Sequence, residues 1–257
     1  MAHYNLALIG FGNVGRAFAR LLERKQDELQ DSYGITYTIT AIATGQHGAA
    51  IHPGGIPGVQ AAEYVEAGGS LADFSAAPAP ADILAFIQAC GADVLFENTP
   101  VNYETGQPAA DHLAAALRLG KHAITANKGP VVHAYHALTA LARQQGRKFF
   151  FEGTVMDGAP IFSLFREALP AARLLSFRGV LNSTTNLILT LMEQGQSFDE
   201  AVAYAQQIGI AETDPSGDID GWDAAVKVAA LATVLMDTPF KPQQVERQGI
   251  RGITPVE

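Results

Sequence analysis

The chain has 257 residues, 48% hydrophobic and 17% charged, an ordinary globular composition long enough for one large or two medium domains of about 100–200 residues each. Its formal net charge of −9 offers no positive field for phosphate backbones and argues against nucleic acid as a partner. The single cysteine, Cys90, excludes an internal disulfide framework. The N-terminal run has no basic leader, and no window approaches the ~18 apolar residues of a membrane span, so a cytoplasmic protein is expected.

From residue 5 to about 151, short apolar or β-branched runs alternate with helical patterns. Strands are predicted at 5–9, 37–43, 93–97, 122–126 and 148–151, and helices at 16–22, 59–67, 109–119 and 134–145. That rhythm is built from βαβ units and predicts a mostly parallel sheet. Residues 44–80 contain TGQHGAAIHPGGIPG and SAAPAPAD and read as surface loops around the helix at 59–67. After Phe151 the pattern changes to a strand at 174–180 and helices at 186–194, 198–208 and 222–236. Ser197 to Glu200 spells a capping box, and Gly209 is a C-terminal stop for that helix. The expected boundary gives a first domain at 1–151 and a second at 152–257.

The motif GFGNVG, Gly10 to Gly15, follows an apolar strand and opens a helix at the start of the βαβ series. In that context Gly10 makes the tight turn, Gly12 lets the backbone approach a pyrophosphate, and Gly15 lets helix and strand pack closely. The amides of Asn13 and Val14 lie at the helix N-terminus, where phosphate oxygens find exposed N–H groups. Domain 1–151 is therefore expected to be a Rossmann-type dinucleotide-binding domain. Its second strand runs into Thr44, Gly45, Gln46 and His47, with neither the acid that bonds an NAD ribose nor an arginine for a 2′-phosphate. NAD and NADP both stay open.

Ligands of open parallel sheets bind outside the carboxyl ends of the strands. FENTPVN, residues 96–102, and ITANKGP, residues 124–130, stand at two such ends, which makes Thr99, Pro100, Asn127 and Lys128 crevice candidates. The stretch AETDPSGDIDGWDAAVKVAALATVLM, residues 211–236, places five carboxylates before a nearly all-apolar helix. A calcium loop with Gly221 sixth would end in Lys227, a cation, so that reading fails. A helix start explains two acids, with Asp220 as N-cap and Asp223 at the positive end of the dipole. It leaves Lys227, four residues after Asp223, inside a helix apolar on every face. Lysine is rarely buried unless paired, so the pair Asp223 and Lys227, with Glu212 upstream, points to a catalytic cluster.

Together, GFGNVG, FENTP, ITANKGP, FEGTVMDGAPI, RGVLNSTTNLILTLME and IGIAETDPSGDIDGWDAAVKVAALA resemble homoserine dehydrogenase, in the family's motif order and over nearly the whole chain. The resemblance implies reversible NAD- or NADP-dependent interconversion of L-homoserine, a small-molecule substrate, and L-aspartate 4-semialdehyde. It implies an α+β substrate and dimerisation domain at 152–257, and a homodimer. Carried onto these positions, Lys128 and Lys227 are the catalytic lysines, with Asp223 orienting Lys227. Glu212 binds the substrate ammonium, Asp218 and Thr184 contact substrate, and Thr99, Pro100 and Lys128 border the cofactor. A monovalent cation (Na or K) is implied at Glu152, Val155, Asp157 and Ala159, where Asp157 departs from the small residue expected. The family also implies a segment beyond the position of Glu257 that returns to the nucleotide-binding domain; without it a sheet edge stands uncovered. The competing readings are an NAD(P)-binding sensor or inactive fragment on the same scaffold, and another semialdehyde dehydrogenase or reductase. An acyl-forming enzyme of the latter kind would need a nucleophilic thiol, and Cys90 falls at the end of an apparent helix.

Overall fold

The computed structural model describes residues 1–254; the last three residues of the second expected domain lie outside the described residues. The chain divides into two compact units. The first comprises 1–102, 106–130 and 134–151, and the second 103–105, 131–133 and 152–257.

The first unit is built on a six-stranded sheet, β1 (Ala2–Ile9), β2 (Ile35–Ala43), β3 (Ala49–Ile51), β4 (Val94–Glu97), β5 (His122–Thr125) and β6 (Phe149–Phe150). Its order is β3-β2-β1-β4-β5-β6, and every pairing is parallel except that of the short edge strand β3. The chain runs outward from β1 to β2 and returns on the other side of β1 as β4, so the switch point lies at the carboxyl end of β1.

Alternation along β1 splits the core in two, because successive side chains point to opposite faces. Leu6 and Leu8 join Phe11, Ile39, Ile42 and Val94, while Ala7 and Ile9 join Ala41, Phe86, Ile87 and Leu95. Both faces are covered by helices, as a parallel sheet requires: α1 (Asn13–Arg24), α2 (Gln26–Tyr33), α3 (Gly58–Glu66), α4 (Ile83–Ala89), α5 (Ala109–Arg118) and α6 (Lys128–Gln144).

Three elements differ from the sequence expectation here. Helix α2, largely polar and with no buried residue, lacks the apolar stripe by which a helix is recognised. Strand β3 lies inside the segment expected to be loop, and exists because its backbone pairs with Ala41–Ala43 of β2. Helix α6 begins at Lys128 rather than 134, since Asn127 caps it and Pro130 stands in the first turn, where a missing N–H costs nothing.

The regular elements among the described residues of the second unit are helices, chiefly α7 (Ile161–Ser163), α8 (Ser183–Glu193), α9 (Phe198–Gln207), α10 (Ser216–Ile219) and α11 (Trp222–Leu235), joined by irregular chain. The predicted capping box is formed, with Ser197 and Glu200 bonding reciprocally, and Gly209 follows the helix end at φ 76°. The strand expected at 174–180 is not formed. Residues 175–178 alternate apolar and polar, but a strand needs a paired ladder, and here Leu175 and Val180, which would face opposite sides of one, stand 77% and 65% exposed. Asp220 is not the cap of α11. That position belongs to Gly221, in the left-handed region at φ 79°, while the Asp220 carboxylate pairs with Arg251 at 2.6 Å.

Candidate active site

In the first unit each glycine of GFGNVG meets a separate steric demand. Gly10 has φ 86°, and a Cβ there would lie 2.5 Å from the backbone of Asn98, so the turns after β1 and β4 touch through it. A Cβ on Gly15 would lie 2.5 Å from the Gly10 carbonyl, which is the close helix–strand approach expected of the third glycine. Nothing stands within 4 Å of a Cβ on Gly12. Gly12 is the N-cap of α1, with no side chain capping it and no acid in the first turn. The amides of Asn13 and Val14 therefore open a twelve-residue helix with space for an anion. These features fit a dinucleotide pyrophosphate. At the end of β2, Thr44 accepts the His47 amide at 2.7 Å and the His47 ring lies 3.1 Å from the Gly69 carbonyl, and neither a carboxylate nor an arginine stands among residues 44–47.

Thr99, Pro100 and Lys128 are brought together through Asn127. Its side-chain amide donates to the Thr99 and Pro100 carbonyls at 3.0 and 3.2 Å, and its Oδ1 accepts from Gly129 N at 2.9 Å. One residue thus caps α6, sets Lys128 at its first position and ties it to the turn after β4. Beneath that turn lies Glu97, wholly buried. Its carboxylate accepts the Thr99 amide and hydroxyl and the Thr125 hydroxyl, with His112 Nδ1 at 3.6 Å. The sequence reading passed over Glu97; a carboxylate at the last residue of an apolar strand was the available signal.

In the second unit Asp223 and Lys227 form the predicted i,i+4 pair, Nζ to Oδ2 2.8 Å, with side chains 10% and 16% exposed. Lys227 Nζ also donates to the Leu181 carbonyl at 2.7 Å. The same Oδ2 of Asp223 accepts from Asn182, whose Nδ2 donates to it at 2.9 Å and to Asp218 Oδ1 at 2.6 Å. Asn182 also caps α8. It was not singled out from sequence, although an Asn before STTN is a cap signal. Thr184, on the first turn of α8, donates to the Ile210 carbonyl at 3.3 Å.

The turn joining α10 to α11 is fastened by the chain at 247–251. Ile250 N bonds Ile219 O at 2.9 Å, and the Arg247 guanidinium stacks 3.6 Å over Trp222. Asp218, Asp223 and Lys227 are thereby fixed together; Glu212 lies upstream on the exposed surface. Tyr103, also of this unit, feels the same acids: burial first, then Asp223, Asp218 and Glu212, push its hydroxyl up to about 12.

The residues implied to hold a monovalent cation offer oxygens with prior commitments. The Glu152 carboxylate accepts the amides of Phe162 and Ser163 and the Ser163 hydroxyl, at 2.8, 3.0 and 2.5 Å. Ala159 O accepts Ile161 N at 2.9 Å. Val155 is buried and Asp157 exposed. The donor set left for a cation is therefore chiefly backbone carbonyl, which suits a weakly held alkali ion rather than a divalent metal. Cys90, 1% exposed with its thiol directed at Ile87 O, is not an available nucleophile.

A cavity of about 430 Å³ in the first unit lies away from the strand tips, lined by apolar side chains including Tyr4, Phe18, Tyr37 and Ile124. It gathers no cluster of acids and bases.

Comparison with known proteins agrees with this geometry. Residues 10–152 match the family model described as homoserine dehydrogenase, NAD binding domain, and residues 160–257 that described as homoserine dehydrogenase. An NAD(+)-dependent homoserine dehydrogenase of Pseudomonas canavaninivorans is 37% identical over 254 residues, covering 99% of this chain and 72% of that one. A homoserine dehydrogenase of Methanocaldococcus jannaschii is 38% identical over 252 residues, covering 98% and 74%. Among solved structures, a putative homoserine dehydrogenase from Archaeoglobus fulgidus superposes with TM-score 0.84 at 30% identity, covering 98% of this chain and 74% of that one. A hyperthermophilic archaeal homoserine dehydrogenase in complex with NADPH gives 0.82 at 30% identity, covering 98% and 75%.

Proposed function

Because the chain belongs to the homoserine dehydrogenase family of NAD(P)-dependent oxidoreductases, we propose that Lys227 moves the alcohol proton of L-homoserine, with Asp223 as its orienting partner and Lys128 as the second catalytic lysine. The nicotinamide, when bound, supplies the hydride acceptor. Gly10, Gly12, Asn13, Val14 and Gly15 hold its pyrophosphate, and Thr99, Pro100 and Lys128 border it. The end of β2, with neither an acid nor an arginine, suits NAD and NADP alike.

The observation that carries this reading is the Asp223–Lys227 pair, 2.8 Å apart and largely withdrawn from water. A lysine whose ordinary value is near 10.4 exchanges protons at neutral pH only when its surroundings assist it. Lys227 donates to Asp223 and to one carbonyl; of its three N–H donors, one remains for the reacting oxygen. In the direction of semialdehyde reduction this N–H passes its proton to the carbonyl oxygen and leaves a neutral amine; in homoserine oxidation the neutral amine takes the proton back from the alcohol. Glu212 binds the substrate ammonium, and Asp218 and Thr184 contact the rest of the amino acid.

The product, L-aspartate 4-semialdehyde, places the reaction in the biosynthesis of threonine, methionine and isoleucine. Its single, buried cysteine fits the cytoplasm. No described helix is long and apolar enough to cross a membrane. A sodium or potassium ion would sit among the oxygens of Glu152, Val155, Asp157 and Ala159 and order that loop. The exposed apolar side chains of Leu175 and Val180 support a homodimer in which this segment meets its counterpart.

The test is reduction of NADP⁺ or NAD⁺ by L-homoserine, followed by absorbance. Lys227→Ala is expected to fold, to bind cofactor, and to lose turnover by about 10²-fold or more. Full turnover in that variant would remove Lys227 from the chemistry, and no turnover in the unaltered protein would remove the reading itself.

A further inference from the structure

We propose that Tyr103 is a further substrate-binding residue of the second unit, its hydroxyl donating a hydrogen bond to the α-carboxylate of the amino-acid substrate. The inference rests on the reading of this site as one for L-homoserine, and it answers a charge problem that the site poses.

Glu212, Asp218 and Asp223 put three carboxylates against one lysine. That excess suits the substrate's ammonium and repels its α-carboxylate. A zwitterion binds in such a place only if a donor meets the carboxylate, and the donors already described are committed. Asn182 gives its amide protons to Asp218 and Asp223, Thr184 donates to Ile210 O, and Lys227 is spent on Asp223, Leu181 and the reacting oxygen.

Tyr103 stands beside this cluster with a donor outside those bonds. It is half-buried, and its carbonyl lies 3.0 Å from Nε2 of His133, which fixes the main chain. Its hydroxyl oxygen lies 3.6 Å from where a Cβ on Gly217 would be, so the phenol reaches the α10 turn that carries Asp218. That distance is ordinary van der Waals contact, so the phenol lies directly against this turn. Burial and the three acids hold the proton on Tyr103 well above neutrality, up to about 12. The group is therefore a neutral donor at working pH, which adds no charge to be desolvated and does not compete with the substrate ammonium for the acids.

The test compares two ligands that differ only in the carboxylate. L-Homoserine is assayed as substrate and 3-amino-1-propanol as a competitive inhibitor, in the unaltered protein and in Tyr103→Phe. A charge-assisted hydrogen bond lost from a binding site costs about tenfold or more in affinity. Tyr103→Phe is expected to raise the KM for L-homoserine by about that factor with kcat within about twofold, while 3-amino-1-propanol binds as before. Equal weakening of both ligands, or an unchanged KM, overturns the inference.

Tyr103→Gln restores an N–H donor and guards against a folding failure of the phenylalanine variant. Recovery of part of the homoserine affinity, without change for the inhibitor, supports the assignment. A folded Tyr103→Gln protein that discriminates no better than one lacking any donor overturns it. Loss of L-homoserine turnover in the unaltered protein would instead overturn the reading of the site, a result that the variants alone cannot produce.

Discussion

At the scale of single residues, the second unit shows how a charged group is kept in an apolar helix. Lys227 is 16% exposed and Asp223 10%, and each would be costly without the other, because breaking a buried pair leaves an uncompensated charge. Asn182 donates to the same carboxylate oxygen, Oδ2, that pairs with Lys227, and links Asp223 to Asp218. Asp223→Asn keeps the shape and removes the counter-charge. The expected result is a fall in kcat of about 10²-fold or more, with a loss of stability of about 1–3 kcal/mol. Steady-state kinetics and urea unfolding on the same preparation check this, and unchanged kcat would mean that Lys227 needs no partner. The spacing of this pair was legible in the sequence because i,i+4 neighbours meet on any helix. Asn182 was not, since it lies 41 residues from Asp223.

At the scale of elements, the cofactor loop is a case of backbone meeting backbone. Gly10 combines φ 86° with a Cβ position 2.5 Å from Asn98, so any side chain there must both strain the turn and push the β4 turn away. Gly10→Ala is expected to cost about 2 kcal/mol or more in unfolding free energy. It should also weaken NAD(P)H binding, measured by quenching of protein fluorescence; a variant equal to the original in both would show that the two turns are not in register contact. The steric demands on Gly10 and Gly15 were readable because they follow from chain geometry common to every strand–turn–helix of this kind. That Asn98 supplies the wall against Gly10 could not be read, because β4 becomes the neighbour of β1 only when the sheet assembles. The same holds for β3, whose three residues are a strand only by virtue of pairing with β2.

At the scale of the whole molecule, one exposed feature asks for a partner. Leu175 and Val180 stand exposed in a segment that forms no strand, and exposed apolar side chains of this kind invite a second chain. Leu175→Lys is expected to shift a dimer towards a 27.2 kDa monomer in sedimentation equilibrium, without loss of helical content. A species of unchanged mass would move the contact elsewhere. The net charge of −9 keeps copies apart in general, so association needs a local apolar patch of this kind.

What the sequence determined by itself was whatever depends on local periodicity or local geometry. This includes the βαβ rhythm and its parallel sheet, the glycine turn, the capping box at Ser197 and the lysine paired one helical turn from an acid. Tertiary structure alone decided the relations between distant segments: Asn127 tying Lys128 to Thr99 and Pro100, Asn182 joining Asp218 to Asp223, and Tyr103 brought to Gly217. It also withdrew the strand at 174–180, whose alternation is a property of the segment but whose existence depends on a ladder. Periodicity is written along the chain and can be counted there; a hydrogen bond or a close approach across tens of residues exists only once burial has chosen which surfaces meet.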